Sequence, residues 1–240
     1  MELTPFQLSS LGEDSVIYRV EETNFFRIEQ SVIQHHSLPD LVMDSEVEID
    51  SLSPVVVIDS GIDFSQIPIL QPLVLEHWVP EGNRISDPAH GTQVASRVIL
   101  GENIGQQITM GSLTPHARVI DACVFVAQTP LSEDQLILWI KEIVETYHEK
   151  ARIYNLSVNA SRPIQSDRIS LLAYEIDNLS CNYGVVFVIS AGNHHLWKIH
   201  DSIDKCLDDD DVHIASPAES YLSVTVGAIN DKDDPHRLCA

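Results

Sequence analysis

Positive charge is what this 240-residue sequence has least of: 14 lysines and arginines stand against 36 aspartates and glutamates, for a formal net charge of −22. A surface that negative repels phosphate backbones and anionic lipid, so nucleic acid and membrane are excluded as expected partners. The sequence also lacks any apolar run near the roughly 20 residues that cross a bilayer. Met1-Glu2-Leu3-Thr4-Pro5-Phe6-Gln7 has no basic stretch leading into an apolar core, so it does not read as a secretory signal. Cysteine is sparse. Cys123, Cys181, Cys206 and Cys239 form no CxxC and no regular spacing, which argues against a disulfide framework or a metal knuckle. Cys123 and Cys181 lie in or beside apolar segments and are expected to be reduced core residues. A soluble, cytoplasmic protein is expected.

What is present is ordinary globular material, with 44% hydrophobic and 21% charged residues, enough for one large domain with a short appendage. Residues 1–50 are acidic and mixed: 15–20 could form a short strand, 24–33 is apolar without a clean period, and 44–50 reads as an acidic linker. They are taken as an accessory or propeptide-like segment ahead of a domain over 51–240. From Ser53 the pattern changes. Val55-Val56-Val57-Ile58 is a β-branched run suited to a strand buried on both faces, and similar runs follow at 118–126, 152–158, 184–189 and 222–229. Helical patterns lie between them. Over 131–150, Ser132 is the expected N-cap with Gln135 three residues on, and Leu136, Ile140, Val144 and Tyr147 share a face. Over 166–182, Ile169, Leu172, Ala173, Ile176 and Leu179 do the same. Alternating strands and helices predict an α/β fold, a mostly parallel sheet with helices on both faces.

Reactive groups in such sheets gather at the carboxyl ends of the strands. Asp59 follows the first strand, and Gly61 permits a sharp turn after it; a turn-capping aspartate is the plain alternative. His90 opens Gly91-Thr92-Gln93-Val94-Ala95, a helical start whose small residues allow close packing. The 184–189 strand runs into Ser190-Ala191-Gly192-Asn193, which leaves open space and then offers an amide that can donate to a developing oxyanion; a plain turn is the alternative there too.

Asp59-Ser60-Gly61, His90-Gly91-Thr92 and Ser190-Ala191-Gly192-Asn193, in that order, resemble the subtilase (subtilisin-like) serine proteases. Tyr154-Asn155-Leu156-Ser157, Ser216-Pro217-Ala218 and Ser223-Val224-Thr225-Val226-Gly227-Ala228 add to the likeness, which covers about residues 53–230. The resemblance implies a serine endopeptidase with His90 as general base, Asp59 orienting it, and Asn193 in the oxyanion hole. Ser157, Ala191 and Gly192 would flank an extended peptide substrate. It implies no organic cofactor; calcium, which many members bind, has no identifiable site in this sequence. The family's nucleophile lies in a Gly-Thr-Ser-type segment followed by small residues, and none occurs in these 240 residues. The domain is therefore expected to be incomplete at its C-terminal side and inactive as it stands. The alternative is a non-catalytic pseudoprotease that binds peptides or regulates a partner.

Other tempting signals read as surface. His194, His195, His200, Cys206 and His213 fit no compact zinc spacing and suit a polar insertion. Asp208 to Asp211 lack the alternating ligands and glycine turn of a calcium loop. Asp59 with Asp63 lacks the phosphate cradle that a phosphatase or nucleotide-binding reading needs.

Overall fold

The computed structural model describes residues 4, 23–26, 40–82, 87–126, 130–160, 163–164, 168–192, 202, 204–205, 208 and 214–227. In chain order the strands are β1 (Phe25–Phe26), β2 (Val42–Met43), β3 (Pro54–Asp59), β4 (Val74–Trp78), β5 (Ser112–Leu113), β6 (Arg118–Cys123), β7 (Leu131–Ser132), β8 (Ile153–Leu156), β9 (Val186–Ser190) and β10 (Val224–Val226). The α-helices are α1 (Ala89–Leu100), α2 (Ile104–Met110), α3 (Glu133–Tyr147) and α4 (Leu171–Tyr183).

Six strands form one sheet in the order β10-β9-β8-β3-β6-β4, and every neighbouring pair is parallel. The α/β expectation holds. Parity along β3 explains how the layers are built. Val56 and Ile58 enter a large cluster with Leu136, Ile140 and Val144 of α3 and Leu172 and Ile176 of α4. Val57 points the other way, into a second cluster with Ala95 and Ile99 of α1 and Leu70 and Leu73 of the turn before β4. Each such side chain removed from water is worth about 1.5–3 kcal/mol, so both faces of β3 are strongly driven to be covered. Asp59 continues the parity of Val57 and therefore faces α1.

After β3 the chain builds β4 and β6 on one side. It then crosses to β8 and adds β9 and β10 on the other. The order thus reverses at the β3–β8 seam, the place where an open parallel sheet leaves a crevice at its carboxyl edge.

Several sequence expectations are corrected in detail. The 131–150 helix begins at Glu133 with Ser132 at its N-cap position as expected, but the Ser132 side chain makes no capping bond. The Glu133 amide donates to the Asn24 carbonyl at 3.0 Å, where β1 arrives to pair with β7. The second helix starts at Leu171, capped by the Ser170 hydroxyl accepting from the Ala173 amide, so Ile169 lies outside the helix and is exposed. β10 is short and exposed rather than buried, as befits its edge position. Cys123 is buried as expected, but Cys181 is exposed: the buried positions 172, 176 and 179 of α4 leave it on the outer face. Residues 40–52 lie against the second cluster through Leu41, Met43, Ile49 and Leu52, with β2 parallel to β5. The strand expected over 15–20 falls outside the described residues.

Candidate active site

Asp59 is the last residue of β3 and is fully buried, whereas the His90 side chain keeps 25% of its surface exposed. The His90 Nδ1 lies 2.8 Å from Asp59 Oδ1 and 2.9 Å from Oδ2. An acceptor-only carboxylate fixes the tautomer: Nδ1 carries the proton, and Nε2 is left with the lone pair. The hydrogen bond to Asp59 raises the imidazole pKa above 6.5, burial opposes it, and the carboxylate charge adds to the rise. His90 is also in the first turn of α1, where the helix dipole disfavours a cation by about 0.3–1 kcal/mol. A hydrogen bond to a charged partner is worth about 1.5–3 kcal/mol, so the carboxylate prevails.

The turn after β3 holds the two groups together. The Ser60 amide donates to Asp59 Oδ1 at 2.7 Å, and the Ser60 hydroxyl accepts from the Gly91 amide at 3.2 Å. Gly61 has φ +101°, a conformation that a side chain would strain. The Asp63 amide donates to Thr92 Oγ1 at 2.9 Å. The small residues noted at His90-Gly91-Thr92 are thus a docking surface for this turn.

The remaining assigned residues sit along the same edge. Ile58 is the register partner of Leu156, and Leu156 of Ile189. Ser157 therefore follows β8 beside the end of β3, and Ala191 and Gly192 follow β9 beside that. The Ser157 hydroxyl donates to Asn155 Oδ1 at 3.0 Å. The Ala191 carbonyl accepts from the Ala215 amide at 2.9 Å. Asn159 braces this corner, its Nδ2 donating to the Ser190 carbonyl at 2.7 Å while its Oδ1 accepts from the Ser190 hydroxyl. Ser157, Ala191 and Gly192 are all partly buried. Asn193 lies outside the described residues.

Sequence reasoning missed a second carboxylate–imidazole pair. Asp121 of β6 and His77 of β4 are register partners, and His77 Nδ1 stands 2.8 Å from Asp121 Oδ2. The available signal was an aspartate in the middle of the apolar 118–126 run. No group of three or more His, Cys, Asp or Glu side chains able to hold a metal ion occurs among the described residues.

The molecule is thus a parallel α/β domain with a carboxylate–imidazole dyad at the carboxyl edge of its central strand. Residues 53–237 match the family model described as the subtilase family, peptidase S8, and the chain belongs to that family. Among solved structures, the patellamide maturation protease PatA is similar with a TM-score of 0.50 at 21% identity, over 75% of this chain and 57% of its own. A mutant of the epidermin leader peptide processing serine protease EpiP from Staphylococcus aureus gives 0.50 at 16% identity, over 84% of this chain and 54% of its own. At such identities the likeness is one of fold, and the chain spans little more than half the length of either structure. A search of curated protein sequences finds no match.

Proposed function

We propose that this chain supplies the base, the orienting carboxylate and the substrate wall of a subtilisin-type serine endopeptidase. The reading rests on one observation above all: the fully buried Asp59 holds the Nδ1 of His90 at 2.8 and 2.9 Å. That geometry leaves Nε2 as the acceptor for a serine proton. In this reading His90 removes the proton as the serine oxygen attacks the scissile carbonyl, then returns it to the leaving amine. Asp59 stabilises the transient imidazolium; removing such a carboxylate costs roughly 10⁴ in turnover. Asn193 donates to the tetrahedral oxyanion, a contribution of roughly 10²–10³. The substrate lies extended along Ser157, Ala191 and Gly192, pairing its backbone with the protein's.

The serine nucleophile is not assigned to any of the 240 residues, which contain no Gly-Thr-Ser. That same observation favours the second reading, a module that binds peptides without cutting them. The test is expression of the complete gene product, labelling with a serine-directed fluorophosphonate, and cleavage of a peptide library. Labelling and cleavage that vanish in His90→Ala support the enzyme. Peptide binding without either supports the module. Undiminished cleavage by His90→Ala rejects the roles assigned to His90 and Asp59.

A further inference from the structure

Asp121 has no part in the chemistry just described, yet it occupies a costly position. It is fully buried in the middle of β6, on the same sheet face as Asp59 and Cys123, which are themselves register partners. Burial pushes its carboxyl pKa up, while the hydrogen bonds from His77 and from the Ile62 amide pull it down. Its Oδ2 accepts from both, at 2.8 Å and 3.1 Å. Its Oδ1 has no hydrogen-bond partner among the described residues. A carboxylate placed in an apolar strand adds little stability there, because a hydrophobic residue of similar volume serves a core at least as well.

The Ile62 bond shows what it does serve. Ser60 and Asp63 each bond to α1 or to Asp59, and Gly61 lies under Gly91. These contacts join the turn to the two elements that carry the dyad. The Ile62 amide instead ties it sideways to the neighbouring strand. We infer that Asp121, held in place by His77, is a positioning residue for the Asp59–His90 dyad: it anchors the 60–63 turn on which the first turn of α1 rests. His77, with 45% of its side chain exposed on the edge strand, clamps the carboxylate from the outside. The importance of this anchor for catalysis rests on the function proposed above; its effect on the dyad does not.

The test reads the dyad directly by NMR of the full chain, in Asp121→Ala, Asp121→Asn and His77→Ala. Two observables are followed: hydrogen exchange of the Ile62 amide, and the resonance and titration of the His90 ring. Asp121→Ala is expected to speed Ile62 exchange about tenfold, the factor that corresponds to one lost hydrogen bond. It is also expected to shift the His90 Nδ1 proton and bring the ring's titration back toward its ordinary value. Asp121→Asn, which keeps an oxygen for Ile62, restores both. His77→Ala moves both in the Asp121→Ala direction by less. The inference is overturned if His90 is unchanged in Asp121→Ala, or if Asp121→Asn behaves like Asp121→Ala. Should Asp121→Ala not fold, His77→Ala decides, since an unchanged Ile62 exchange and His90 resonance there overturns it equally. No arm depends on turnover, so a protein that cleaves no peptide defeats the protease reading and leaves this result standing.

Discussion

A Cβ placed on Gly91 would lie 2.2 Å from the carbonyl oxygen of Gly61, inside any real contact distance. Helix α1 therefore approaches the turn after β3 as closely as backbone can approach backbone. The atom in the way is a carbonyl and not a flexible side chain, so something must move if a methyl group is added. Gly91→Ala is expected to cost about 1–3 kcal/mol by overpacking and to lengthen the His90–Asp59 contact. Gly105→Ala, on α2, meets nothing within 4 Å and is expected to be neutral or to stabilise by about 0.5–1 kcal/mol through helix propensity. Urea unfolding of the two variants against the parent checks the contrast, and equal stabilities would contradict it.

The dyad should leave its mark on stability as a function of pH. The hydrogen bond to Asp59 holds the folded His90 pKa above the 6.5 of an ordinary histidine. The folded form therefore keeps its proton to higher pH than the unfolded form. The contribution is whole below 6.5 and is lost as pH rises through the raised value. Stability measured across that window should decline less steeply in His90→Gln than in the parent. The slope that remains belongs in part to His77, which Asp121 shifts in the same direction. Indistinguishable slopes would mean that the pair does not form in solution.

Glu133 has a raised pKa too, but burial and not a charged partner is the leading cause. It is buried, accepts from the Leu172 amide at 3.1 Å and the Asn24 side chain at 3.2 Å, and so joins the start of α4 to β1. Glu133→Ala strands the Leu172 donor and should cost about 1–3 kcal/mol. Burial, first among the causes, raises the Glu133 pKa above 4.5. The folded chain then binds this proton more tightly than the unfolded one, so the term favours folding increasingly as pH drops from the raised value toward 4.5. Glu133→Gln should hold stability near neutral pH while removing that acid-side gain, which denaturation at pH 4 to 7 would reveal.

The two described cysteines should differ sharply toward alkylating reagents. Burial first, then the charges of Asp121 and Asp59, push the Cys123 thiol up to about 12, leaving almost no thiolate at neutral pH. Cys181 is exposed on α4. Iodoacetamide on the native protein should modify Cys181 and spare Cys123 until denaturant is added, as peptide mass mapping can score. Native-state labelling of Cys123 would show that the β3–β6 face opens readily.

Much of this arrangement could be read from residue order because its causes are local. The Val55 to Ile58 run is β-branched and uninterrupted, which few alternatives to a doubly buried strand explain. The Leu136, Ile140, Val144 and Tyr147 spacing identified the buried face of α3 for the same reason. Asp59 and His90 could be paired in advance only through their likeness to a family; nothing in their spacing dictates contact. What escaped notice depended on distant partners. β4 does not read as a strand from residue order because, at the sheet edge, it carries Glu76 and His77 where a central strand would carry apolar residues. Ser132 does stand at the N-cap position of α3, but the arrival of Asn24 at the Glu133 amide is invisible from the helix sequence. The pairing of His77 with Asp121 joins two strands that only the sheet order makes adjacent.

The reversal of strand order between β3 and β8 has a temporal side. Carboxylate and imidazole both come from chain that precedes the seam, whereas Ser157, Ala191 and Gly192 come from chain that follows it. Ribosomes deliver the polypeptide from its N-terminal end, so Asp59 and His90 are both synthesised before any of the three residues that lie beside them across the seam. Yet β3 completes its core only when Leu172 and Ile176 of α4 cover Val56 and Ile58.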